Sequence, residues 1–109
     1  MQERKYEDAQ HSILEALALA PDHGPAQYDL GRVSFMLKQY ERAENALLAA
    51  SRTPSLSNDA LRLVAMVKLQ RGDRAGAEQI LRTVLEQTPN DAPTMTLLGQ
   101  LALGSGKAE

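Results

Sequence analysis

The chain has no cysteine, no tryptophan, one phenylalanine and three tyrosines among its 109 residues. Without cysteine there is no disulfide framework, no cysteine-ligated zinc, no iron–sulfur cluster and no thiol nucleophile. Two histidines, His11 and His23, leave almost nothing for a histidine-based metal site, and each reads as a solvated surface residue. Twelve basic residues against fourteen acidic ones give a formal charge of -2, which argues against a nucleic-acid surface. No stretch approaches the ~20 apolar residues of a membrane span, and the opening Met1–Gln10 is too charged for a signal peptide. The expectation is a single helical domain with no cofactor and no metal, which neither enters a membrane nor acts as an enzyme.

What is present is a repeat. Ala9, Ala43 and Ala77 are spaced by 34 residues, and Ile13, Leu47 and Leu81 keep the same step. Ala16, Ala50 and Val84 follow it, as do Leu30-Gly31, Val64-Ala65 and Leu98-Gly99. Pro21, Pro54 and Pro89 close the units with a one-residue wobble that falls in a turn. A fixed period of this length is the mark of a stacked-repeat architecture.

Each period reads as two helices. From Pro25 to Leu37, Ala26, Leu30, Val33 and Leu37 fall within about 60° of one another at 100° per residue. A turn at Lys38-Gln39, matched by Gly72-Asp73 and Gly106-Lys107, leads into a second helix from Tyr40 to Arg52. Its inner face carries Ala43, Ala46, Leu47 and Ala50. Pro54 and Pro89 end such helices, and Ser57-Asn58-Asp59 and Asn90-Asp91 offer N-caps for the next ones.

These residues resemble the tetratricopeptide repeat, whose signature is a Leu-Gly pair in the first helix, an Ala and a large apolar residue in the second, and a closing Pro. Those places hold Leu30-Gly31, Ala43, Leu47 and Pro54, then Val64-Ala65, Ala77, Leu81 and Pro89, then Leu98-Gly99. The pattern departs where the family usually has an aromatic before the pair (here Gln27, Leu61 and Met95) and a tyrosine after it (here Ser34, Lys68 and Ala102). The resemblance implies an all-α, right-handed α-solenoid whose inner face is a long concave surface. The units are expected at 23–56 and 57–91, with a second helix alone in 1–22 and a first helix alone in 92–109. Gly31, Ala65 and Gly99 are expected where the helices of a unit pack closely.

The first helices carry a second stripe, opposite the packed one. Tyr28, Arg32 and Phe35 are spaced i, i+4, i+7; Arg62, Met66 and Leu69 repeat them, then Thr96, Gln100 and Leu103. Met36 and Gln70 flank the stripe. In tetratricopeptide proteins this side holds a peptide or helix of a partner, so the resemblance implies a non-catalytic protein-binding module, a segment of a larger scaffold. Tyr28, Phe35, Met66, Leu69 and Leu103 would be apolar anchors, and Arg32, Arg62 and Gln100 polar ones, for an amphipathic or mildly acidic segment. Some family members clamp a C-terminal carboxylate with Lys and Asn; Tyr28, Asp29, Arg32 and Leu63 stand at those places, so that activity is not implied.

A rival reading is a spacer or self-assembly segment. The lone helices at the two ends are complementary halves of a unit, so Ile13 and Leu17 of one molecule could pair with Leu98 and Leu101 of another in a head-to-tail homo-oligomer. Other motifs carry little. Gly104-Ser105-Gly106-Lys107 lacks the glycine of a phosphate loop at Leu101 and the hydroxyl residue at Ala108. Glu41, Glu44, Glu78 and Glu86 are expected on helix exteriors, and Lys68 is expected to snorkel outward along its aliphatic stem.

Overall fold

Proline, glycine and a few polar side chains set where the helices begin and end. The computed structural model describes residues 2–104, and the side chains of 4–103. Its helices are α1 Gln2–Leu19, α2 Gly24–Met36, α3 Tyr40–Ala50, α4 Ser57–Gln70, α5 Arg74–Gln87 and α6 Ala92–Gly104. The Gly106-Lys107 turn and most of the Gly104–Lys107 motif lie outside the described residues.

α2 and α4 end in the same kind of turn. Lys38 (φ 63°) and Gly72 (φ 85°) both take the left-handed conformation. After each, the next amide reaches five residues back: Gln39 N–H donates to Ser34 O at 2.8 Å, and Asp73 N–H to Lys68 O at 2.8 Å. This turn stops α2 at Met36, one residue before the Leu37 that apolar spacing predicts. α3 stops at Ala50 rather than Arg52, and Pro54–Leu56 form a 3-10 turn that runs directly into α4. Ser57, Asn58 and Asp59 are therefore already helical and do not cap α4. Asp73 does cap α5, accepting from Gly76 N–H at 2.9 Å.

Each helix packs on its neighbours in sequence, giving an α-solenoid of 48 × 31 × 18 Å. One core cluster joins Ala43 and Leu47 of α3 to Val64 and Val67 of α4. A second joins Ala65 of α4, Ala77 and Leu81 of α5 and Leu101 of α6. The small residues are where the helices approach. A Cβ on Gly31 would stand within 2.6 Å of Leu47 Cδ2 and 3.3 Å of the Ala43 carbonyl. Gly99 differs from its counterpart: a Cβ there would meet nothing within 4 Å. The close packing expected at Gly99 is absent among the described residues.

Polar side chains couple successive units at sequence separations of 24 to 29. Gln10 Nε2 donates to Ser34 Oγ at 3.1 Å and to Gln39 Oε1 at 2.7 Å. One repeat later Lys68 Nζ donates to Glu44 Oε2 at 3.0 Å and lies 3.7 Å from Asp73. Arg71 Nη1 donates to Glu44 Oε1 at 2.9 Å. The departures from the family tyrosine thus fill its place with a neutral triad once and a charged one next. Two expectations are corrected here. Glu44 is an inter-helix acceptor whose side chain is largely buried rather than exterior, and Lys68 turns its ammonium inward to meet it, because pairing offsets the cost of burying either charge.

Candidate functional site

The stripe expected to meet a partner is carried in register by α2, α4 and α6, and the structure divides it by depth. Tyr28 and Phe35 are half-buried and pack against the Ala43–Leu47–Val64–Val67 cluster. The Phe35 and Tyr40 rings lie 5.9 Å apart, tilted at 56°. Leu69 is half-buried against the Ala65–Ala77–Leu81–Leu101 cluster, and Met66 is half-buried in α4. These apolar residues are therefore partly structural, a floor more than a set of free anchors. Met36 and Leu103 stand out of it, 50% and 70% exposed, alongside exposed Arg32, Gln70, Thr96 and Gln100. The Arg32 guanidinium lies 5.9 Å from the Tyr28 ring centroid, which fixes its direction.

A cavity of about 610 Å³ opens at one end of this face. Arg32, Phe35 and Met36 border it with Asp29 of α2, Leu63 of α4, and Tyr6, Ala9 and Ile13 of α1. The remaining stripe residues, Tyr28, Arg62, Met66, Leu69, Gln70, Thr96, Gln100 and Leu103, are not brought to it. The stripe pattern did not reveal the α1 wall. The signal was nevertheless there, since Tyr6, Ala9 and Ile13 stand one period before Tyr40, Ala43 and Leu47, which lie beneath a first helix.

Electrostatics change the expected role of Arg62. Its side chain, 18% exposed, pairs with Asp59 within α4 and with Asp91 at 2.9 Å before α6. Thr94 Oγ1 donates to the same Asp91 carboxylate. The Thr94 hydrogen bond and the adjacent Arg62 charge hold the Asp91 carboxyl below its ordinary value, against partial burial, which raises it. Arg62 ties α4 to the start of α6. With its charge taken up by two carboxylates, and with Asp29 beside Arg32 at the cavity, the face presents little net positive charge.

Among the described residues no three His, Cys, Asp or Glu side chains gather as a metal site, and no helix is long and apolar enough to cross a membrane. His11 lies 3.4 Å from Glu15 on an exposed face of α1. The paired-helix units, the 34-residue step and the buried Gly31–Ala43–Leu47 contact are features of a repeat solenoid. A family model for the tetratricopeptide repeat matches residues 1–67, from α1 into α4. The chain belongs to the tetratricopeptide repeat family. A search of curated proteins found no match. Tetratricopeptide repeats are in general protein–protein interaction modules and in general non-catalytic. Past the matched residues the same 34-residue step holds in the packing, with Ala77, Leu81 and Val84 of α5 as fully buried as Ala43, Leu47 and Ala50 of α3.

The residues expected at the solenoid ends are placed unequally. Ile13 is half-buried at the α1 wall of the cavity. Leu17 instead lines a separate groove with Leu30 and Ala46. Leu101 is 9% exposed, and it packs with Leu98 against Ala65, Ala77 and Leu81. Leu101 therefore belongs to the core and is not an uncovered end residue, because its position in the unit points back toward α5. Ala92, Met95 and Gly99 of α6 are exposed, in addition to Thr96, Gln100 and Leu103 of the stripe.

Proposed function

We propose that this tetratricopeptide chain is a non-catalytic module that binds an amphipathic helix of a partner protein along the concave face of α2, α4 and α6. The observation that supports the reading most is the combination of an apolar floor with reachable side chains in register. Phe35 and Leu69 are held half-buried by the core, while Met36 and Leu103 project from the same layer beside Arg32, Gln70 and Gln100. A floor fixed by the core costs little ordering entropy when a ligand arrives, and the exposed side chains supply both apolar contact and hydrogen bonds. The neutralised Arg62 and the Asp29–Arg32 neighbours favour an amphipathic helix of mixed charge over an acidic tail.

The test is to pan a displayed library of amphipathic helices against the chain and measure the recovered peptides on three variants. Met36→Asp and Leu103→Asp should each weaken binding about tenfold or more, as for a desolvated apolar contact. Leu48→Asp, at a residue 40% exposed on α3, should leave it unchanged. Peptides that lose affinity only with Leu48→Asp would overturn the reading.

A further inference from the structure

Large aliphatic side chains fill the joint between α3, α4 and α5. Ile80 of α5 packs against both core clusters, and Leu61 of α4 is half-buried. One period earlier, between α1, α2 and α3, Ala46 and Gln27 stand at those places. A groove of about 480 Å³ remains there, lined by Leu30, Ala46 and Ala49. Each joint has all three of its helices, so the groove follows from side-chain size and not from a missing neighbour. Leu17 of α1 forms an apolar wall where the later joint has Ser51. Leu14, one turn before Leu17, is 38% exposed, much as its counterpart Leu48 is at 40% between two units. Glu41, Arg42 and Asn45 of α3 line the groove too, and none has an ion pair or side-chain hydrogen bond among the described residues. Leu30 stands opposite the Tyr28–Arg32–Phe35 stripe on α2, and the groove shares no lining residue with the cavity of about 610 Å³.

We propose that this groove is a second docking site, separate from the concave face, and that it takes leucine or isoleucine side chains presented one turn apart by a helix of a partner protein. Ile80 sets the chemistry of the occupant, because a branched aliphatic side chain already fills the same place one unit later. The groove lies between α1 and α3, and a groove between helices receives the side-chain ridge of a third. Glu41 and Arg42 are exposed and of opposite sign, so they pair with a basic and an acidic residue flanking the apolar pair of the partner. Such rim pairs choose the partner and its direction more than they add affinity. The affinity comes from the aliphatic side chains, which lose their water against Leu17, Leu30 and Ala46.

The experiment pans a displayed library of amphipathic helices against the Leu103→Asp chain, whose concave face is impaired. Helices that also bind the same chain with Ala46→Ile, which copies the filled joint, are removed. The helices that remain should carry leucine or isoleucine one turn apart, and alanine at either place should weaken them about tenfold or more. They should bind the wild-type and Leu103→Asp chains within about twofold of each other. Leu17→Asp, on the opposite wall from Ala46, should weaken them as strongly as Ala46→Ile does. Circular dichroism checks that each variant is folded; if Ala46→Ile is not, Ala49→Leu fills the groove from a half-buried place. A library that yields no helix after this removal would overturn the proposal. So would recovered helices that keep their affinity for the Leu17→Asp chain, or that lack the aliphatic pair. Because the selection is made on Leu103→Asp, its outcome is independent of whether the concave face binds a partner.

Discussion

Gly31 and Gly99 hold the same place in the unit, two periods apart, yet they predict opposite responses to one methyl group. At Gly31 the added Cβ runs into Leu47, which is fully buried and has nowhere to move. Gly31→Ala should destabilise by about 1–3 kcal/mol through overpacking. At Gly99 the Cβ enters open space, and the helix gains from losing glycine's backbone freedom. Gly99→Ala should therefore stabilise by up to about 1 kcal/mol. Chemical denaturation of both variants checks the pair, and a loss of similar size at both positions would contradict the assignment of the open face. The Leu-Gly motif is legible at both places in the sequence. What a neighbour does to it is not, because cover is a property of the stack and not of the helix.

Between elements, the polar contacts decide more than the apolar stripe suggests. Glu44 accepts from both Lys68 and Arg71, so removing it strands Lys68 with Asp73 at 3.7 Å as its remaining partner among the described ion pairs. Glu44→Ala should cost about 2 kcal/mol, less than a fully buried pair because both ends keep some water. Lys68→Met should cost clearly less, since Glu44 retains Arg71 and the methylene stem is replaced by an apolar one. Equal losses in urea melts would mean that the triad does not couple the units. Asp91 adds a pH dependence. Its folded carboxyl titrates below the unfolded value of about 4, so the stability it contributes is complete above that pH and is lost as pH falls through the folded value. Asp91→Asn should lower Tm at neutral pH, and the gap to wild type should close in acid. A gap that stays constant from neutral pH to about pH 2.5 would show that the Thr94 and Arg62 contacts do not favour the ionised form. Neither contact was legible in the sequence. The helical period places Lys68, Glu44 and Arg62 on faces of their own helices, but these partners lie 24 to 29 residues away on other elements. The Lys38 turn was legible, because its place in the repeat matches Gly72.

At the scale of the whole molecule, the 34-residue step carried the fold almost entirely. Ala43, Ala46, Leu47 and Ala50 of α3 are buried as their register predicts, as are Ala77, Leu81 and Val84 of α5, while Ile80, the counterpart of Ala46, is half-buried. The binding face was legible as a stripe and misleading as a list of anchors, since Tyr28, Phe35 and Leu69 are shared between that face and the core. Replacing them would confound ligand contact with stability, so the exposed Met36 and Leu103 are the informative positions. The central claim is that the layer of α2, α4 and α6 receives a partner helix. The most direct measurement is an amide chemical-shift map of the chain with a helix recovered from the library. Binding in that layer should concentrate the shifts at Arg32, Met36, Met66, Gln70, Gln100 and Leu103. Shifts concentrated instead on the exposed sides of α3 and α5, around Leu48 and Arg82, would contradict it.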